Sequence, residues 1–134
     1  MSSKKKNKIK KNIRDLEKKR QQVLTELLNS KQLLRGSVAT VYTKCGRENC
    51  WCKDGKGHPH TRITWSEKAK GYTRKVPKNE MSWIKKVTEN YRNFRSLRRR
   101  LKELEASIKE LQDKLEDILV SDTRKIKDYL WTKQ

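Results

Sequence analysis

All three cysteines and both histidines of the 134-residue chain fall within sixteen consecutive residues, Cys45 to His60. The order is Cys-x4-Cys-x-Cys-x5-His, with a second histidine two places further on. Three thiolates and one imidazole complete a tetrahedral zinc set, and a closed four-ligand site is structural rather than catalytic. Cys45, Cys50, Cys52 and His58 are the expected ligands, with His60 as the alternative fourth, and Zn2+ is the expected cofactor. Gly46, Gly55 and Gly57 lie where a loop around a metal must turn tightly. A disulfide would leave one thiol over, and no signal peptide points to an oxidising compartment. Buried core cysteines would have no reason to gather with the only two histidines.

This stretch matters because the rest of the chain is poor material for a core. Only 32% of the residues are hydrophobic while 39% are charged. A chain of this length and composition usually folds around a metal staple or along a coiled-coil seam. The net charge of +20 calls for a polyanion, with nucleic acid ahead of an anionic membrane surface. Residues 1–36 carry 12 Lys/Arg against 3 Asp/Glu, residues 37–77 carry 9 against 3, and residues 78–134 carry 15 against 10. The first two thirds are therefore the expected anion-facing part, and the last third reads as a charge-balanced helix surface. No apolar run is long enough to span a bilayer. The cytoplasm is the expected location, with no membrane partner.

Periodicity divides the chain into four stretches. Residues 1–7 read as a disordered basic arm. Residues 8–35 read as the N-terminal helix of a coiled coil, with Ile9, Ile13, Leu16, Val23, Leu27 and Leu34 on a seam of alternating steps of four and three that the polar Arg20 and Ser30 interrupt twice, and Gly36 as the stop. Residues 36–77 read as a zinc-binding β head. Its three short strands are expected over Ser37–Thr43, Thr61–Trp65 and Tyr72–Val76, with a polar loop from Ser66 to Gly71. Residues 78–134 read as a long C-terminal helix, opened by Pro77 with Asn79 as cap candidate and broken near 121. Phe94, Leu97, Leu101, Leu104, Ile108, Leu111, Leu115 and Ile118 fill eight successive seam positions of that helix. Both helices join the same head, so they should run antiparallel, with Leu34 near Trp83 and Ile9 near Ile108. The fold class expected is α+β: an antiparallel coiled-coil hairpin capped by a small, zinc-stabilised, three-stranded head. The second helix outlasts the first, so self-association, most simply a dimer, would cover Leu111 to Ile118 unless the segment after Ser121 folds back.

The head also resembles a known family. Gly36-Ser37, the Tyr42-x-x-Cys45-Gly46-x-x-Asn49-Cys50-x-Cys52 run, Gly57-His58, Trp65, Val76-Pro77 and Asn90-Tyr91-Arg92 carry the resemblance, over about residues 36–105. The family is one of short basic prokaryotic proteins catalogued as a domain of unknown function and often encoded close to transposase genes. Its pattern continues after the histidine as Gly-Pro-aromatic, whereas Pro59-His60-Thr61 stands here. The choice between His58 and His60 stays open at this point. The resemblance implies a setting in mobile DNA and no catalytic residues.

Two functions compete on the sequence. The first is a non-enzymatic, zinc-containing nucleic-acid-binding protein, an accessory to transposition or another mobile-DNA process, with DNA ahead of RNA as ligand. Its contacts would come from Lys44, Arg47, Lys53, Lys56, Arg62, Lys68, Lys70, Arg74 and Lys75, with Trp51 either stacking on a base or packing as a lid on the metal. The second is a coiled-coil adaptor for a protein partner with a structural zinc tip. An enzyme is not expected. A Cys3His set leaves no open coordination position, and no Ser-His-Asp order, phosphate loop or acidic triad is present.

Overall fold

A computed structural model describes residues 2–121 and 124–132. The chain is α+β: two long helices packed as a hairpin, and a three-stranded antiparallel sheet near a Cys3His cluster. In chain order the elements are α1 (Ser2–Leu28), β1 (Gly36–Thr43), β2 (His58–Glu67), β3 (Lys70–Lys75), α2 (Lys78–Ser121) and α3 (Arg124–Trp131). No helix among the described residues is long and apolar enough to cross a membrane. Two compact units divide the chain: residues 30–95, and residues 1–29 together with 96–134.

The helical unit follows the apolar seam. Ile9 and Val23 on α1 and Ile108 on α2 are buried. Ile13, Leu16 and Leu27 are half-buried, as are the seam residues of α2 other than Ile108, while the positions between Leu101, Leu104, Leu111 and Ile118 are mostly exposed. The heptad spacing thus selects the less exposed face of both helices. Two bounds differ from the sequence reading. The described part of the expected basic arm, from Ser2 onward, is already helical, because lysine is a good helix former; Lys6 is half-buried. At the other end α1 stops at Leu28, eight residues short of Gly36. Asn29 and Ser30 are poor helix continuers, since their side chains compete for backbone hydrogen bonds. Leu34 therefore lies beyond the helix.

The segment after α1 is held by the start of α2. The Leu34 N–H donates to the Val87 carbonyl at 3.0 Å, and Asn90 Nδ2 donates to the Gln32 carbonyl at 3.1 Å. Leu34 then lines a depression with Ile63, Trp65, Val76, Trp83 and Ile84. Gly36 opens β1, where a Cβ would meet the Thr64 carbonyl oxygen at 2.9 Å.

The sheet order is β1-β2-β3, with β2 in the centre. Gly36 pairs with Trp65 and Thr43 with His58 on one side; Arg62 pairs with Lys75 and Glu67 with Lys70 on the other. Pro59 lies in β2 beyond the reach of β3, where its missing N–H removes no ladder bond on that side. All three strands differ in extent from the sequence reading: β1 starts one residue earlier, β2 reaches back to His58, β3 ends at Lys75, and the turn between β2 and β3 is only Lys68-Ala69 rather than a loop over 66–71. Both turn residues have positive φ, 49° and 65°, as a tight hairpin turn of this length requires.

Alternation splits the sheet into two faces. Ile63 and Val76 are buried on the face turned to the first turns of α2, where Thr61 Oγ1 also reaches Met81 Sδ at 3.8 Å. The ring of Trp65 stacks on that of Tyr72 at 5.7 Å between centroids. The opposite face, with Ser37, Ala39, Thr64, Thr73 and Lys75, is exposed, and Arg62 and His60 on it are half-buried.

Pro77 precedes the first residue of α2 and its carbonyl accepts from the Glu80 N–H at 3.1 Å. Asn79 therefore sits inside the first turn and is not the cap. The break expected near 121 falls partly on residues 122–123, which lie outside the described residues; α2 ends at Ser121 and α3 begins at Arg124.

Candidate metal centre

The Cys45–His58 loop is built from tight turns, each with a local cause. Gly46 has φ +79°, a left-handed conformation open to glycine. It returns the backbone of Arg47 towards Cys45, whose sulfur accepts a hydrogen bond from it. The Cys50 N–H donates to the Arg47 carbonyl at 3.4 Å, closing the next turn. Trp51–Asp54 then form a single turn of 3-10 helix, in which Lys53 N–H donates to the Cys50 carbonyl and Gly55 N–H to that of Cys52. Gly57, buried with φ +108°, brings the loop back against β1. A Cβ there would lie 2.5 Å from the Thr43 carbonyl carbon. No other residue could pass at that point without moving the strand.

These turns bring four ligand atoms together. The sulfurs of Cys45, Cys50 and Cys52 and a ring nitrogen of His58 all lie within 4.8 Å of one another. Cys45 Sγ is 3.5 Å from Cys52 Sγ, and Cys50 Sγ is 3.1 Å from His58 Nε2. A tetrahedron with ordinary zinc–sulfur and zinc–nitrogen bonds has edges of about 3.5–3.8 Å. The group is therefore close enough together to hold a metal ion. The 3.5 Å sulfur separation far exceeds a disulfide bond, and all three cysteines are free. His60, the alternative ligand, is not in the group. It sits two residues further along β2, opposite Val41, and lines a separate depression with Pro59, Thr61, Lys75 and Met81.

The four ligands differ in exposure. Cys52 is 1% exposed, Cys50 and His58 are half-buried, and Cys45 is exposed. The backbone hydrogen bond from Arg47, and then the bond from Cys52, lower the Cys45 thiol to about 6. For Cys52 the Cys45 N–H favours the thiolate, but burial and the neighbouring Cys45 and Cys50 sulfurs outweigh it and push the thiol up. Four donors crowded this closely are costly without a cation, since each thiolate repels the next.

Trp51 stands at the edge of this centre. Its ring meets His58 edge to face, with centroids 4.9 Å apart, yet 67% of the residue is exposed. It touches the ligand without being buried by it. The expected cationic residues lie around the head but not in one patch. Lys44, Arg47, Lys53, Lys68, Lys70, Arg74 and Lys75 are exposed, and Lys56 lies over the Tyr42 ring at 5.7 Å. Arg62 and Lys75 are directly opposed on the open sheet face, whereas Arg74, opposed to Ile63, belongs to the face turned to α2. Alternation from Ile63 and Trp65 already places Arg62 and Thr64 on the open face; the Thr73 hydroxyl, paired with Thr64, was not singled out from sequence, and β alternation would have found it once the two-residue turn was known.

The chain belongs to a known family. The model of the domain of unknown function DUF6788 matches residues 8–86, more than half of the chain. The match takes in most of α1, the whole sheet with its Cys3His loop and the first turns of α2. It begins earlier and ends earlier than the stretch on which the resemblance was based. No curated protein and no solved structure matches the chain.

Proposed function

We propose that this is a non-enzymatic nucleic-acid-binding protein whose β head is held by one structural zinc ion at Cys45, Cys50, Cys52 and His58. The observation that carries the binding reading is uncompensated charge on the head. The ion pairs among the described residues, Arg20 with Glu17 and Lys114 with Glu110, are both on helices, and no described carboxylate pairs with a cation of the sheet or the metal loop. Arg62 and Lys75 face each other across neighbouring strands, an arrangement that repels until an anion lies between them. DNA is the first ligand to test, and an accessory part in transposition is the process this reading favours.

The test is the salt dependence of binding to a duplex DNA. If about six phosphates are neutralised, log K falls against log salt with a slope of about −5. Replacement of Arg62 and Lys75 by glutamine should make the slope shallower by one to two. A flat salt response would overturn the reading.

A second reading, a coiled-coil adaptor that also self-associates, is supported by exposed apolar side chains towards the C-terminus. Leu119 is 43% exposed, and Ile126, Tyr129, Leu130 and Trp131 of α3 are between 55% and 84% exposed. A pull-down in which a protein partner survives nuclease treatment would favour it over the first.

A further inference from the structure

The open sheet face and the exposed tryptophan at its end define a ligand more closely than charge alone does. We infer that the head takes single-stranded nucleic acid, its backbone laid along β2 over Arg62 and Lys75 and one base stacked on Trp51. This rests on the nucleic-acid reading above.

The floor of the face suits a strand rather than a duplex. Thr64 pairs with Thr73, and next to them Arg62 pairs with Lys75, so a row of small hydroxyls borders a row of cations. Hydroxyls and cations in adjacent rows suit phosphate oxygens, and contacts to phosphate carry no base sequence. Arg62 Nε donates to Thr73 Oγ1 at 3.3 Å, which fixes the side chain along the face and leaves its terminal nitrogens for an anion. Further along the same face of β2 come His60 and then His58, against which Trp51 is set. From Thr64 to His58 the strand runs about 20 Å. Within residues 36–77 the helical turn is the four-residue one that carries Trp51, too short to lie along a groove.

Trp51 supplies the distinction between one strand and two. An exposed indole costs free energy in water, yet this one is held out between two metal ligands, Cys50 and Cys52, on a turn whose backbone is hydrogen-bonded at both ends. The backbone that carries it is held before any ligand arrives. Base faces are hidden inside a duplex and open in a single strand, so only an unpaired base can lie on this ring.

The experiment uses the full, zinc-loaded chain and a fluorescein-labelled 20-nucleotide DNA of mixed sequence, single-stranded or annealed to its complement, read by anisotropy at one salt concentration. An RNA of the same sequence separates the two sugar chemistries. The single strand should bind at least tenfold more tightly than the duplex. Trp51→Ala should weaken single-strand binding roughly five- to a hundredfold and so narrow that ratio, whereas Trp51→Phe retains most of it. The wild-type ratio needs no variant, so a Trp51→Ala chain that loses its metal does not shield the inference. Equal affinity for both forms, or an unchanged ratio in metal-replete Trp51→Ala, overturns this inference and leaves the general one standing. Absence of binding to either form overturns both.

Discussion

At the scale of single residues, the metal loop depends on positions that carry no ligand. Gly57 is the sharpest case, because a methyl group there would overlap the Thr43 carbonyl and the Lys44 nitrogen, both backbone. Gly57→Ala should therefore destabilise the head by roughly 2–4 kcal/mol, combining the clash with a positive φ that alanine adopts at a cost. Thermal unfolding of the metal-loaded protein checks this; a change below about 0.5 kcal/mol would mean that the loop passes β1 at a greater distance. The four ligands were legible in the sequence because soft donors clustered in so short a span have few other uses. For the fourth ligand the sequence favoured His58 on loop length and kept His60 as the alternative, since both lie on the same face of one strand; the loop's closure at Gly57 is what brings the His58 ring to the sulfurs. Trp51 was legible only as a choice between lid and platform, and its ring shares features of both, edge-on to His58 and mostly in solvent.

At the scale of elements, periodic patterns were readable and their ends were not. The seam from Phe94 to Ile118 repeats without interruption and corresponds to the less exposed stripe of α2. The end of α1 at Leu28 could not be read that way, because Leu34 continues the spacing yet is drawn off by its backbone bond to Val87. Strand lengths were missed for a related reason. A two-residue turn normally announces itself with Asn-Gly or Asp-Gly, and here Lys68-Ala69 take the positive φ values instead. That turn carries backbone strain of about 1–2 kcal/mol per residue. Ala69→Gly should relieve part of it and raise the stability of the head by roughly 0.5–1 kcal/mol, offset by the greater freedom of glycine in the unfolded chain. Chemical denaturation followed by near-UV circular dichroism of Trp65 and Tyr72, which stack across this hairpin, reads the change. A loss of stability in Ala69→Gly would argue against the tight turn.

At the scale of the whole molecule, the two compact units have different sources of stability. The helical unit has an extended seam and its own ion pairs. The unit of residues 30–95 buries few apolar side chains, chiefly Cys52, Ile63, Val76 and Val87, which is a thin core for its length. A structural zinc ion contributes about 10–16 kcal/mol in small peptides at neutral pH, enough to decide whether such a unit folds. The cations of the head, unpaired by any described carboxylate, oppose folding through mutual repulsion and make that contribution more necessary. The account stands or falls on zinc stoichiometry, measured by native mass spectrometry on the wild-type chain and on His58→Ala and His60→Ala. It predicts one zinc per wild-type chain, one in His60→Ala, and weakened or absent zinc in His58→Ala; a zinc-free wild-type chain, or loss of the metal from His60→Ala alone, would contradict it.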